Sequence, residues 1–176
     1  MGISRDRRRA RRLIRRRLSL PQDRPLVLDD LIAAVGAARG GKPIEVVNRR
    51  LAPNVTGFCA VGPLRDVIVV DEDAPRFLQI VITCHELFHL LHDDAPAGEG
   101  PIDRRTARAL MPGLGQDMVD MVLFGRRVEG GDEPPEGTEQ LAEVGGTELM
   151  RMIDLTAGTG AAGPYTSALE NRRPGV

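Results

Sequence analysis

Apolar residues in this chain fall into short, differently patterned segments. The longest run covers residues 77–91, with the length and flanks of a buried helix. Residues 26–38 read as an amphipathic helix closed by Gly40-Gly41. Three β-branched runs, 44–48, 56–61 and 66–71, are separated by Pro, Gly and Asn, which predicts strands in an antiparallel meander. Asp73 is placed to cap the helix that follows, with Pro75 in its first turn. Residues 104–110 and 117–124 are shorter helix candidates, and 130–137 is an acidic Pro/Gly loop. A last helix is predicted over 138–155, weakened by Gly145-Gly146. The fold class this implies is α+β: a short antiparallel sheet packed on the 77–91 helix, with further helices.

The ends differ from this body. Residues 4–18 form an Arg-rich helix candidate whose apolar stripe is sparse: Ile3, Ala10, Leu13, Ile14 and Leu18. Residues 1–24 hold ten Arg against Asp6 and Asp23, whereas the rest has 14 basic and 23 acidic residues. A basic arm on an acidic body can fray into solvent, dock on that body, meet an acidic partner or contact nucleic acid phosphates. The expected organisation is an arm over 1–24, a domain over 25–156 and a flexible tail over 157–176.

Composition removes several function classes. Four Phe, one Tyr and no Trp give no aromatic platform for single-stranded nucleic acid. The apolar stretches are too short and too interrupted to span a bilayer. Cys59 and Cys84 form no C-x-x-C and no disulfide framework. The N-terminus has no apolar signal region; Arg11-Arg12 is followed by only Leu13 and Ile14 before Arg15-Arg16-Arg17. The expectation is a cytoplasmic protein.

The candidate chemistry lies inside the 77–91 helix. His85-Glu86-Leu87-Phe88-His89 is an H-E-x-x-H motif. Positions i and i+4 share a helix face, so His85 and His89 can offer two nitrogens to one zinc ion. Glu86 sits about 100° around the helix, where its carboxylate can reach a zinc-bound water. The same spacing can arise by chance. Yet the chain's only three His stand at 85, 89 and 92 on one face, and buried polar groups left unpaired cost roughly 1–3 kcal/mol each. Cys84 points about 100° from the metal face and belongs to the core.

A catalytic zinc takes three protein ligands and keeps one open position. His92 is i+7 from His85, about 10 Å along a straight helix, too far for bonds of about 2 Å to one ion. It reads instead as a neighbour at the cleft rim or the polar end of the helix. Glu139-Gln140-Leu141-Ala142-Glu143, an E-x-x-A-E segment, offers Glu139 as third ligand. Glu143, one turn on, would accept the ring N–H of a ligating His. Asp93, Asp94 and Glu148 are the other carboxylates to consider.

On these two motifs the chain resembles the ImmA/IrrE family of zinc metallopeptidases, especially its small toxin-component-like members. The resemblance spans roughly residues 26–155. It implies a minimal zincin-like, gluzincin-like fold, Zn2+ held by His85, His89 and Glu139, and Glu86 as catalytic base. It also implies a helix-turn-helix transcriptional repressor as partner, in a toxin–antitoxin-like or stress-response pair. His92, Arg126, Arg127 and Tyr165 are candidates to steady the oxyanion. Residues 66–71 could take a peptide along their strand edge. Two other readings share the sequence: a zinc-bearing module that sequesters a regulator without cutting it, and a nucleic-acid-binding protein driven by the Arg arm.

Overall fold

A Val67-Ile68-Val69-Val70 run sets the centre of the sheet. In the computed structural model, which describes residues 2–51, 55–62, 64–92 and 138–156, these four side chains are at most 1% exposed. The elements are α1 (Gly2–Arg17), α2 (Leu28–Ala38), β1 (Ile44–Arg49), β2 (Gly57–Val61), β3 (Asp66–Asp71), α3 (Arg76–His92) and α4 (Thr138–Met150). The class is α+β, as the pattern predicts. The helix candidates at 104–110 and 117–124, the 130–137 loop and the 157–176 tail lie outside the described residues.

The sheet is not an antiparallel meander. Its order is β1-β3-β2: β2 pairs with β3 antiparallel, and β1 pairs with β3 parallel, Ile44 opposite Asp66 through Arg49 opposite Asp71. A continuous β-branched run suits a strand covered on both faces, and β3 takes the middle place. Gly62 closes the β2–β3 hairpin, its N–H donating to Arg65 O at 3.0 Å. That leaves the other flank of β3 to β1. A central strand has no free edge, so residues 66–71 cannot take up a peptide as expected; β1 and β2 are the outer strands of the described sheet.

Asp66, fully buried, anchors the start of β3. Arg39 Nε donates to its Oδ2 at 2.6 Å, and Lys42 Nζ stands 3.3 Å from Oδ1. The same Arg39 donates from Nη1 to Leu90 O at 2.6 Å. Carbonyls in the last turn of a helix lack intrahelical partners, so this one guanidinium ties the end of α3 to the sheet and to α2.

Helix α3 begins at Arg76, where Gln79 N–H donates to Pro75 O at 3.0 Å. Asp73 does not cap it. Asp73 lies in the preceding turn and pairs with Arg50 at 3.1 Å, while the Gln79 side-chain amide donates to Ala74 O at 2.9 Å.

Residues 2–17 are not a separate arm. Ala10 and Ile14 join the same core as Leu31, Ile68, Leu87 and Leu149; burying an Ile side chain contributes about 2 kcal/mol. Helix α1 also closes on α4 through Glu148, whose two oxygens accept from Arg7 Nε at 2.7 Å and Arg11 Nε at 2.6 Å. Glu148 is thereby committed to packing. Helix α4 runs unbroken through Gly145-Gly146. No described helix is long and apolar enough to cross a membrane.

Candidate metal centre

Two helices build the site, and two glycines set how near they come. Leu141, Ala142 and Leu149 are buried on the face of α4 that meets α3, and Gly145 and Gly146 lie on that face. A Cβ on Gly145 would run into the Phe88 ring, and one on Gly146 would meet the His85 backbone. Glycine costs about 1 kcal/mol relative to alanine inside a helix. Here that cost is offset by close backbone approach, so the pair marks a crossing point and not the break expected from propensity. Glu139, Ala142 and Gly146 stand at i, i+3 and i+7, one stripe of α4. The glycine contact therefore fixes where the Glu139 carboxylate lies relative to α3.

His85 and His89 project from neighbouring turns of α3, with ring centroids 4.7 Å apart and planes at 70°. Their Nε2 atoms are 2.9 Å apart. Glu139 Oε1 is 3.0 Å from His85 Nε2, and Oε2 is 3.5 Å from His89 Nε2. All three side chains offer a ligand atom within 4.8 Å of the others. These spacings suit a small cation: tetrahedral bonds of about 2.0–2.1 Å put neighbouring donors about 3.3 Å apart. The donor set fits too. One proton between the two facing imidazole nitrogens serves that pair and leaves the Glu139 carboxylate, also within 3.0 Å of His85 Nε2, without a donor of its own, whereas a cation satisfies all three.

Electrostatics run the same way. Burial works against a charged His85, but the bond to Glu139 and the charges of Glu86, Glu139 and Glu143 outweigh it and raise its pKa above the usual value. The hydrogen bonds from His85 and His89 hold Glu139 well below the usual carboxylate range. The region favours positive charge.

Of the other residues singled out in the sequence, Glu86 is buried at 7% exposure, one residue from His85. Glu143 is exposed one turn beyond Glu139 and contributes its charge at His85. His92 is not in the three-residue group. Its Nε2 lies 3.2 Å from Arg9 Nη2, and its ring stacks at 6.2 Å on Phe88, the ring that Gly145 passes. Cys84 is fully buried with its thiol pushed up to about 12 by burial, and Cys59 is also a free thiol. Asp93, Asp94, Arg126, Arg127 and Tyr165 lie outside the described residues.

The sequence reading missed Arg9 and the purpose of Gly145-Gly146. The glycines were detectable in principle, since they share a helical face with Leu141, Ala142 and Leu149.

No protein-family model matches this chain, and neither a curated protein nor a solved structure does.

Proposed function

We propose that this chain is a zinc-dependent peptidase of the ImmA/IrrE kind, acting in the cytoplasm on a helix-turn-helix transcriptional regulator. The observation that carries the reading is the convergence of His85, His89 and Glu139, from helices 46 residues apart in sequence, on one point beside the motif glutamate. The H-E-x-x-H motif alone needs only local helix geometry. A third ligand arriving from α4 does not follow from it.

His85 and His89 would hold the ion through Nε2 and Glu139 through its carboxylate. Bound zinc supplies Lewis acidity towards water and a peptide carbonyl. Glu86, buried one residue from His85, would be placed to take a proton from water and return it to the leaving amine. Glu143 adds negative charge at His85, which favours its binding a cation. The partner assignment rests on the resemblance carried by the two motifs.

Glu86→Gln keeps the shape of the side chain and removes its basicity. It should retain zinc and lose hydrolysis of the regulator. Turnover retained in that variant would contradict the mechanism. Regulator bound but never cut, by wild type and variant alike, would replace the peptidase with a sequestering module.

A further inference from the structure

The metal site uses none of the ten arginines in the first 24 residues. Around α1 they are sorted by task. Ala10 and Ile14 face the core, and Arg7 and Arg11, beside them on the wheel, close on Glu148. Arg9 meets His92, and Arg17 donates to Ala38 O at 3.4 Å. The other five helical arginines, Arg5, Arg8, Arg12, Arg15 and Arg16, are all exposed. At 100° per residue they fall within an arc of about 100°, opposite the buried face. They extend over about 16 Å of helix at 1.5 Å per residue. Asp6, the one acid in α1, lies outside that arc.

Among the described residues this stripe makes no ion pair or hydrogen bond with the fold. Arg5 and Arg8, Arg8 and Arg12, and Arg12 and Arg16 stand at i,i+3 or i,i+4, where like charges weaken a helix. Positive charge in its first turns also opposes the helix dipole. An anionic ligand with regularly spaced charge would relieve both.

We propose that this face of α1 binds duplex nucleic acid through the backbone phosphates, without reading base sequence. Guanidinium groups match phosphate oxygens in paired hydrogen bonds. Counting both strands, a duplex carries a charge about every 1.7 Å along its axis, so about 16 Å of helix runs beside about nine phosphates, of which about half face it, enough for one per arginine. The α1 sequence has no aromatic residue, so there is nothing for unpaired bases to stack on. Its apolar face is spent on the core and cannot sink into a membrane interface as a surface-lying helix must. The inference needs no metal and stands apart from the peptidase reading.

Fluorescence anisotropy of the full chain with a labelled duplex of about 20 base pairs, in about 50 to 200 mM salt, tests it. Five phosphate contacts predict a slope of log affinity on log salt near −4.5, a loss of roughly 500-fold across that range. Arg12→Gln should lower the slope by about one. Replacing all five arginines by Gln should abolish binding while circular dichroism is retained and the melting temperature stays level or rises, since Gln is nearly as good a helix former as Arg and the like-charge pairs are gone. No binding at the lowest salt, or an unchanged slope in the five-Gln variant, would overturn the proposal. So would tighter binding to anionic phospholipid vesicles or to a polyglutamate peptide than to the duplex.

Discussion

Gly146 lies directly against His85: a Cβ at residue 146 would stand 2.8 Å from His85 Cα and 2.9 Å from its backbone nitrogen. Backbone atoms in a helix cannot step aside as a side chain can. The spacing between α3 and α4, and with it the 3.0 Å contact of His85 with Glu139, depends on the absence of that one carbon.

Gly146→Ala tests this through the sign of its effect. On an open helix face the change would stabilise by about 1 kcal/mol. At this crossing it should instead cost about 1–3 kcal/mol, as overpacked contacts do, and zinc affinity should fall as α4 is pushed away. Thermal melting and a zinc titration read the two effects. A raised melting temperature with unchanged affinity would show that the close approach is not a constraint.

Glu148 should make stability pH-dependent. Burial favours its neutral form, but the bonds from Arg11 and Arg7 outweigh this and leave its pKa below the ordinary value. A lowered folded-state pKa means the contribution is complete above the unfolded value, about 4.3, and fades as pH falls through the folded one. Wild type should therefore exceed Glu148→Gln by about 2 kcal/mol near neutrality, the worth of hydrogen bonds to a charged group. The gap should narrow only below about pH 4.3. Urea unfolding of both proteins across the acid range measures it. A gap that does not change down to the lowest accessible pH would refute the assignment.

Asp66 carries a different kind of load. Removing one partner of a buried ion pair leaves the other charge uncompensated, at about 3–5 kcal/mol. Asp66→Ala takes a buried carboxylate from Arg39, whose side chain is 9% exposed, and from Lys42, and loosens the hold of Arg39 on the end of α3. Denaturant unfolding should show a loss of that size. Asp73→Ala, which breaks an exposed pair with Arg50, should leave stability unchanged within error. Equal effects from the two would mean that the Asp66 cluster does not bind α2, β3 and α3 together.

How legible the molecule was depended on the distance over which each feature acts. The approach of His85 and His89 follows from i,i+4 geometry within one helix, so the motif gave it directly. Glu139 lies 50 residues from His89 in the chain; E-x-x-A-E suggested it, and only the packing of α4 on α3 puts it within reach. The strand segments were readable from β-branched runs, but their order was not. Which flank of β3 receives β1 is settled by the hairpin to β2, although the unbroken Val67–Val70 run was already a mark of a central strand. Gly145-Gly146 misled because local propensity sees only the cost of glycine and not the neighbouring helix. The N-terminal arginines looked free for the same reason: the partner of Arg7 and Arg11 is Glu148, far along the chain.

The most direct measurement is the metal content of purified wild type beside His85→Ala, Glu139→Ala and His92→Ala, by elemental mass spectrometry after zinc is offered. One zinc per chain, lost with His85 or Glu139 and kept with His92, is the predicted result. No stoichiometric metal in wild type, or zinc that survives Glu139→Ala but not His92→Ala, would contradict a centre built from α3 and α4.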